Sequence, residues 1–146
     1  MANKRGTHDY VADIRNSEIL VYINGKFYPR QDASISVFDS GFLLGDGVWE
    51  GIRFHNGKFL FLEQHLERLF WGASQIDMDI GKTIDEINSI LYETTKFNKM
   101  ESGVHVRLIV SRGVKSTPYQ NPSFTVSDPT IVVIPEYKQP SPETQL

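Results

Sequence analysis

Arg53, Arg68 and Arg107 are the residues of this chain with the widest chemical reach. A guanidinium is permanently charged and presents a planar fork of N–H donors that matches carboxylate or phosphate. Arg53 closes the stretch Phe38–Arg53, where Gly41, Gly45, Gly47 and Gly51 alternate with large apolar side chains and Trp49. Glycine lets a backbone turn sharply or approach a neighbour closely. Apolar side chains between glycines suit a site wall better than a solvated linker. Spacing alone nevertheless favours a tight loop entering a half-buried strand. By residue type, Arg53 and Arg68 read as solvated surface charges. Arg107 stands mid-strand between Val106 and Leu108, and on a covered face it needs an anionic partner. Three arginines on separate elements suit a small dianionic or carboxylated ligand, provided that the fold makes them converge.

Other chemistries find little support. His8, His55, His65 and His105 show neither H-x-x-x-H nor H-E-x-x-H spacing, so no metal site is expected. The chain has no cysteine, which excludes a disulfide scaffold, a cysteine nucleophile and thiolate metal sites. No G-x-S-x-G elbow occurs. Gly45-Asp-Gly47 lacks the further glycine and the βαβ setting of a dinucleotide fingerprint.

The elements that must position the arginines are legible. Ile19–Ile23 and Lys26–Tyr28 flank Asn24-Gly25, and Val48–Phe54 and Lys58–Leu62 flank Asn56-Gly57. Both read as hairpins, and two in succession predict an antiparallel meander. Ala33–Val37 reads as a short extended piece. Leu66, Leu69, Phe70, Ala73 and Ile76 recur at helical spacing, which predicts an amphipathic helix over Glu63–Asp79 with Arg68 nearly opposite its apolar face. Thr83-Ile-Asp-Glu86 is a capping box that opens a second helix running to about Asn98. Val104–Ser111 and Thr130–Ile134 read as strands, and Gly113–Pro129 as a long loop of the functional kind. The order predicts an α+β domain, an antiparallel sheet with two helices packed on one face. Residues 1–17 are expected to be a mobile arm, 18–135 a small domain, and 136–146 the start of an interdomain linker.

With 146 residues, 40% hydrophobic and 23% charged, the chain fits one globular domain. Its net charge of −3 and lack of a basic run argue against nucleic acid or an anionic membrane as partner. No segment reaches the ~18 apolar residues of a membrane helix, and the N-terminus has no signal-peptide pattern. A cytoplasmic location is expected.

Taken as an ordered set, several motifs carry a resemblance. They are Asn24-Gly-Lys26, Val37 to Arg53 with Trp49-Glu-Gly-Ile-Arg53, Gly57-Lys-x-x-Phe61, His65-Leu-Glu-Arg-Leu69 and Val106-Arg-Leu-Ile-Val-Ser-Arg-Gly113. Over about residues 18–138 the chain resembles the class IV (fold type IV) pyridoxal-phosphate enzymes. That group includes branched-chain and D-amino acid aminotransferases, (R)-selective amine transaminases and aminodeoxychorismate lyases. The resemblance implies a small N-terminal domain packed against a larger C-terminal one, with pyridoxal 5'-phosphate between them, in a homodimer. Arg68 matches the family's phosphate-contacting arginine. Trp49, Arg53 and Arg107 match positions on the substrate side, and Gly113–Pro129 matches the loop that closes over the substrate.

The motifs around Trp49–Arg53 and Arg107 look most like the branched-chain group. Trp49 departs from its usual Phe or Tyr, and Leu44 from its frequent tyrosine. The D-amino acid enzymes carry an Arg-x-His carboxylate trap that the loop here lacks; Lys115 is the one cation there to substitute. None of the eight lysines sits in the context of the family's catalytic lysine, and the glutamate facing the pyridine nitrogen belongs to the same absent part. The chain is therefore expected to be the N-terminal domain of an aminotransferase working on branched-chain or other apolar amino acids and 2-oxo acids. It has no catalytic residue of its own and is expected to be inactive alone. The lyase, a D-amino acid or (R)-amine transaminase, and a non-catalytic dimerisation module remain alternatives.

Overall fold

The computed structural model describes residues 10–140. Its elements in chain order are β1 (Leu20–Ile23), β2 (Lys26–Pro29), α1 (Ser40–Leu44), β3 (Gly47–His55), β4 (Lys58–Phe59), α2 (Leu62–Gln75), α3 (Ile84–Phe97), β5 (Val104–Ser111) and β6 (Thr130–Tyr137). Short 3-10 turns occupy Ile14–Glu18, Arg30–Asp32 and Pro122–Phe124. The strands make one antiparallel sheet, and α2 and α3 pack on one of its faces, the α+β arrangement expected.

Both hairpins form where Asn-Gly predicts them. Asn24 and Asn56 hold φ of 47° and 49°, and Gly25 and Gly57 hold 91° and 77°. Positive φ at both central residues gives the turn a twist that matches its strands. The meander does not form. Strand order is β2-β1-β6-β5-β3-β4, so the hairpins lie at opposite edges and the last two strands fill the centre. β5 and β6 are the longest strands after β3, and at the centre both edges of each find a partner strand.

Alternation along β5 splits the sheet. Val104, Val106, Leu108 and Val110 point under the helices and are fully buried, together with Ile52 of β3 and Val133 of β6. α2 adds Leu66, Leu69 and Ala73, and α3 adds Ile87, Ile90 and Leu91. Burying each such Val, Leu or Ile side chain contributes about 1.5–3 kcal/mol. α2 ends at Gln75, short of the expected Asp79. The α3 capping box is complete: Glu86 N donates to Thr83 Oγ1 and Thr83 N to Glu86 Oε1, both at 3.1 Å.

Several boundaries differ from expectation. The arm is anchored from Ile14 onward, because buried Asn16 pairs with the Tyr137 backbone through its side-chain amide at 3.0 and 2.7 Å. Residues 1–9 lie outside the described residues. β6 does not stop at Pro135 as a linker would but continues to Tyr137. The reason is local: β1 pairs with β6 only through Val132 and Val133. Leu20, next in register to face Pro135, gives its N–H and C=O to the Asn98 side chain instead. A proline with no N–H is thus tolerated inside the sheet. Ala33–Val37 pairs with no strand and has irregular backbone.

The glycine-rich stretch is more than a turn. Asp39 caps α1 by accepting from Gly41 N at 2.8 Å and also accepts from Thr130 Oγ1 at 2.6 Å. Asp46 then meets Arg112, which donates to it from Nε at 2.7 Å and to the Ile76 and Asp77 carbonyls. Arg112 therefore ties the entry to β3 to the end of α2. At Gly47 a Cβ would lie 2.6 Å from the Val110 carbonyl oxygen, so only glycine lets β3 start this close to β5.

Candidate functional site

β4 has two residues and pairs only with Phe54 and His55, which leaves the edge of β3 open over Gly47–Ile52. An open strand edge is ordinarily a liability. Here a cavity of about 810 Å³ runs along it. On the helix side its wall holds Glu50, Arg68, Trp71 and Gly72; on the other side it holds Trp49, His105, Arg107 and Lys138.

The structure thus brings together Arg68, Trp49 and Arg107, although they come from α2, β3 and β5. Arg107 is exposed and its guanidinium lies 4.2 Å from the Trp49 ring centroid. A cation over an indole face is held by the ring quadrupole, so the stack fixes both side chains. Gly51 lies directly opposite Arg107 in the β3–β5 ladder. A Cβ there would sit 2.8 Å from His105 Nε2, so glycine keeps the floor low enough for the imidazole to lie across it.

Arg53 is not on the cavity wall. It faces His105 across the ladder and donates from Nη1 to the backbone carbonyl of Lys138. It secures the chain leaving β6 and adds positive charge beside the cavity. Lys115, expected to stand in as a loop cation, is also relocated. It is 2% exposed, with Nζ donating to the Asn121 carbonyl at 3.1 Å. Its ammonium holds the Gly113–Pro129 loop together from inside. That loop is also braced by bridges from Asp39 to Val114 and from Lys115 to Thr125.

Arg68 is 68% exposed along its side chain, yet it is not a loose surface charge. Its Nε and Nη2 donate to Glu50 Oε1 and Oε2 at 2.6 and 2.7 Å. His65 Nδ1 lies 2.8 Å from the same carboxylate. Glu50 is 4% exposed on the helix side of β3, and the Arg68 hydrogen bonds hold its carboxyl below the ordinary value. Opposite it, burial and then the charges of Lys138, Arg53 and Arg107 push His105 down. A neutral imidazole amid guanidinium groups is what a cation-rich cavity produces, and such a cavity favours an anion.

Glu50, His65 and His105 were not singled out from the sequence. Glu50 sits within Trp49-Glu-Gly-Ile-Arg53, and its alternation with Val48 and Ile52 places a lone carboxylate on the apolar side of the strand. That signal was available, since a buried carboxylate requires cationic partners. The histidines carry no such mark. Among the described residues, no group of three or more His, Cys, Asp or Glu could hold a metal ion, and no helix is long and apolar enough to cross a membrane.

A second cavity, of about 620 Å³, lies on the sheet face away from the helices, lined largely by Ile19, Val21, Ile109, Val132 and Ile134. It shares Gly47, Val48 and Trp49 with the first. Its lining is mostly apolar, and the one cation on it, Arg30, is paired with Glu136.

Known proteins sort this geometry. The family model for amino-transferase class IV matches residues 47–146. Branched-chain-amino-acid aminotransferase-like protein 1 of Arabidopsis thaliana is 36% identical over 125 residues, 86% of this chain and 22% of that protein. A putative branched-chain-amino-acid aminotransferase of Methanocaldococcus jannaschii is 43% identical over 94 residues, 64% of this chain and 32% of its own length. The D-alanine aminotransferase of Staphylococcus haemolyticus is 32% identical over 120 residues, 82% of this chain and 42% of that enzyme. The chain thus spans well under half the length of these relatives. In fold it is similar to the branched-chain aminotransferase of Thermoproteus uzoniensis with norvaline (TM-score 0.66, 24% identity, 81% of this chain and 40% of that one). It is similar also to a T.th. branched-chain enzyme complexed with N-(5'-phosphopyridoxyl)-L-glutamate (TM-score 0.69, 24% identity, 81% and 40%). The matched residues include β3, α2 and β5, the elements that wall the cation-lined cavity, and the chain belongs to the class IV aminotransferases.

Proposed function

We propose that this chain is one wall of a pyridoxal 5'-phosphate-dependent aminotransferase that exchanges an amino group between a branched-chain or other apolar amino acid and a 2-oxo acid. The observation that carries the reading is the convergence of Arg68, Trp49 and Arg107 on one cavity along the open edge of β3. The residues present suit the cofactor. Arg68 spends two of its five N–H donors on Glu50 and keeps three for a phosphate. Bound there, the cofactor supplies the electron sink that labilises the bonds at the amino acid's α-carbon.

This chain's part is binding and orientation. Arg68 holds the phosphate. Arg107, steadied on Trp49, orients a substrate carboxylate, and Arg53 reinforces the positive field from the neighbouring position. The Trp49 ring and the apolar cavity beyond it favour an apolar side chain on the substrate. The lysine that bonds the cofactor and moves the α-proton would come from a second domain, and a second copy would complete a dimer in the cytoplasm.

The test is a transamination assay. Residues 1–146 mixed with pyridoxal 5'-phosphate, leucine and 2-oxoglutarate should form no glutamate, whereas the full-length gene product should. Activity of 1–146 alone would overturn the division of labour. The D-alanine aminotransferase relatives keep stereochemistry open, so L- and D-leucine belong in the same assay. Pyruvate release from aminodeoxychorismate without transamination would move the protein to the lyase branch.

A further inference from the structure

Glu50 is the one acidic residue among the buried side chains on the helix-covered side of β3 to β6, and all its side-chain hydrogen bonds run to α2. Arg68 reaches it through the Nε edge of the guanidinium, which leaves both Nη1 hydrogens and one Nη2 hydrogen on the outer edge. The fork is therefore held by two parallel bonds, and Arg68 lines the cavity with three donors unspent on Glu50. His65, three residues before Arg68 and so on the same side of α2, approaches Glu50 Oε2 at 2.8 Å. The carboxylate is fixed from two directions and has little freedom to rotate. An arginine on a long flexible stem must otherwise lose considerable rotamer freedom when a ligand binds.

We propose that Glu50, seconded by His65, is a positioning residue that orients Arg68 so that its outer edge is set for a phosphate monoester before the ligand arrives. The inference rests on the reading that Arg68 binds the cofactor phosphate. A competing account gives Glu50 only the task of neutralising a nearby cation. The two differ in geometry. Aspartate keeps the charge but withdraws the carboxylate by one methylene, so it neutralises without holding the fork in place.

The experiment compares pyridoxal 5'-phosphate with pyridoxal, which lacks the phosphate, by absorbance titration of the full-length gene product and its variants. Arg68→Met should cut the preference for the phosphorylated ligand by about tenfold or more, the worth of one charge-assisted hydrogen bond. Glu50→Gln and Glu50→Asp should each lose most of that same preference, while pyridoxal affinity stays within about twofold. Glu50→Gln combined with Arg68→Met should be no worse than Arg68→Met, the non-additivity of two residues acting as a unit. Should Glu50→Gln fail to fold, Glu50→Asp carries the decision. A normal preference in Glu50→Asp, with Arg68→Met impaired, overturns the positioning role and leaves the phosphate reading intact. A normal preference in Arg68→Met overturns both.

Discussion

The two faces of the sheet are built from the same strands and behave as different materials. Along β5, Val104, Val106, Leu108 and Val110 go under the helices, while His105, Arg107, Ile109 and Ser111 go the other way. The first set is fully buried and carries the fold. The second is partly open, and its Arg107 and His105 sit opposite Gly51 and Arg53, next to Trp49. Period-two alternation lets neighbouring residues serve packing and binding independently, because a change on one face leaves the other face's contacts in place. Glu50 is the exception, a carboxylate on the packing face whose partners carry it to the rim of the cavity.

Stability measurements test that division. The largest effect is expected for Leu108→Ala, about 2–5 kcal/mol by urea denaturation, with Val132→Ala on the other face costing about 1.5 kcal/mol or less. Equal losses would erase the distinction. Gly51→Ala, which drives a methyl against His105, should cost about 1–3 kcal/mol and displace the imidazole; His105→Gly in the same background should recover part of the loss.

The pH dependence comes next. The folded pKa of Glu50 lies below its ordinary value of 4.5, so its stabilisation is present above that value and is lost as pH falls through the lower folded pKa. Glu50→Gln should flatten the acid limb of the stability profile, and an unchanged limb would contradict the ion-pair assignment. His105 is likewise depressed below 6.5, but here the unfolded chain takes up the proton first. Stability therefore falls as pH drops below 6.5 and levels off below the folded pKa. An NMR titration of the imidazole should show a midpoint under 6.5, rising in Arg107→Met. The smallest effect is on stability in that same variant: Arg107→Met should change it by no more than about 0.5 kcal/mol while weakening substrate binding.

Local rules made much of this fold legible. Asn24-Gly25 and Asn56-Gly57 named both hairpins, Thr83 and Glu86 named the start of α3, and alternation placed Val104–Ser111 residue for residue. The candidate site was legible only through the ordered motifs, since no single arginine announces a ligand. Trp49, Arg68 and Arg107 share the cavity, whereas Arg53 and Lys115 turned to backbone carbonyls. A side chain's reach is known from its type, but its target depends on which carbonyl the fold leaves unpaired nearby. Pro135 misled for the same reason. It ends strands when its missing N–H matters, and Asn98 had already removed the need for it.

The sequence by itself determined the elements, their caps and their two-faced pattern, because these depend on residues close together in the chain. The sheet order placed β5 and β6 between the hairpins and left the edge of β3 open after two residues of β4. Only the tertiary structure decided that, since it depends on which apolar surfaces, distant in sequence, cover one another best. The stretch Phe38–Arg53 became a cavity wall through that choice: α2 supplied Arg68 on one side of the open edge and β5 supplied Arg107 on the other.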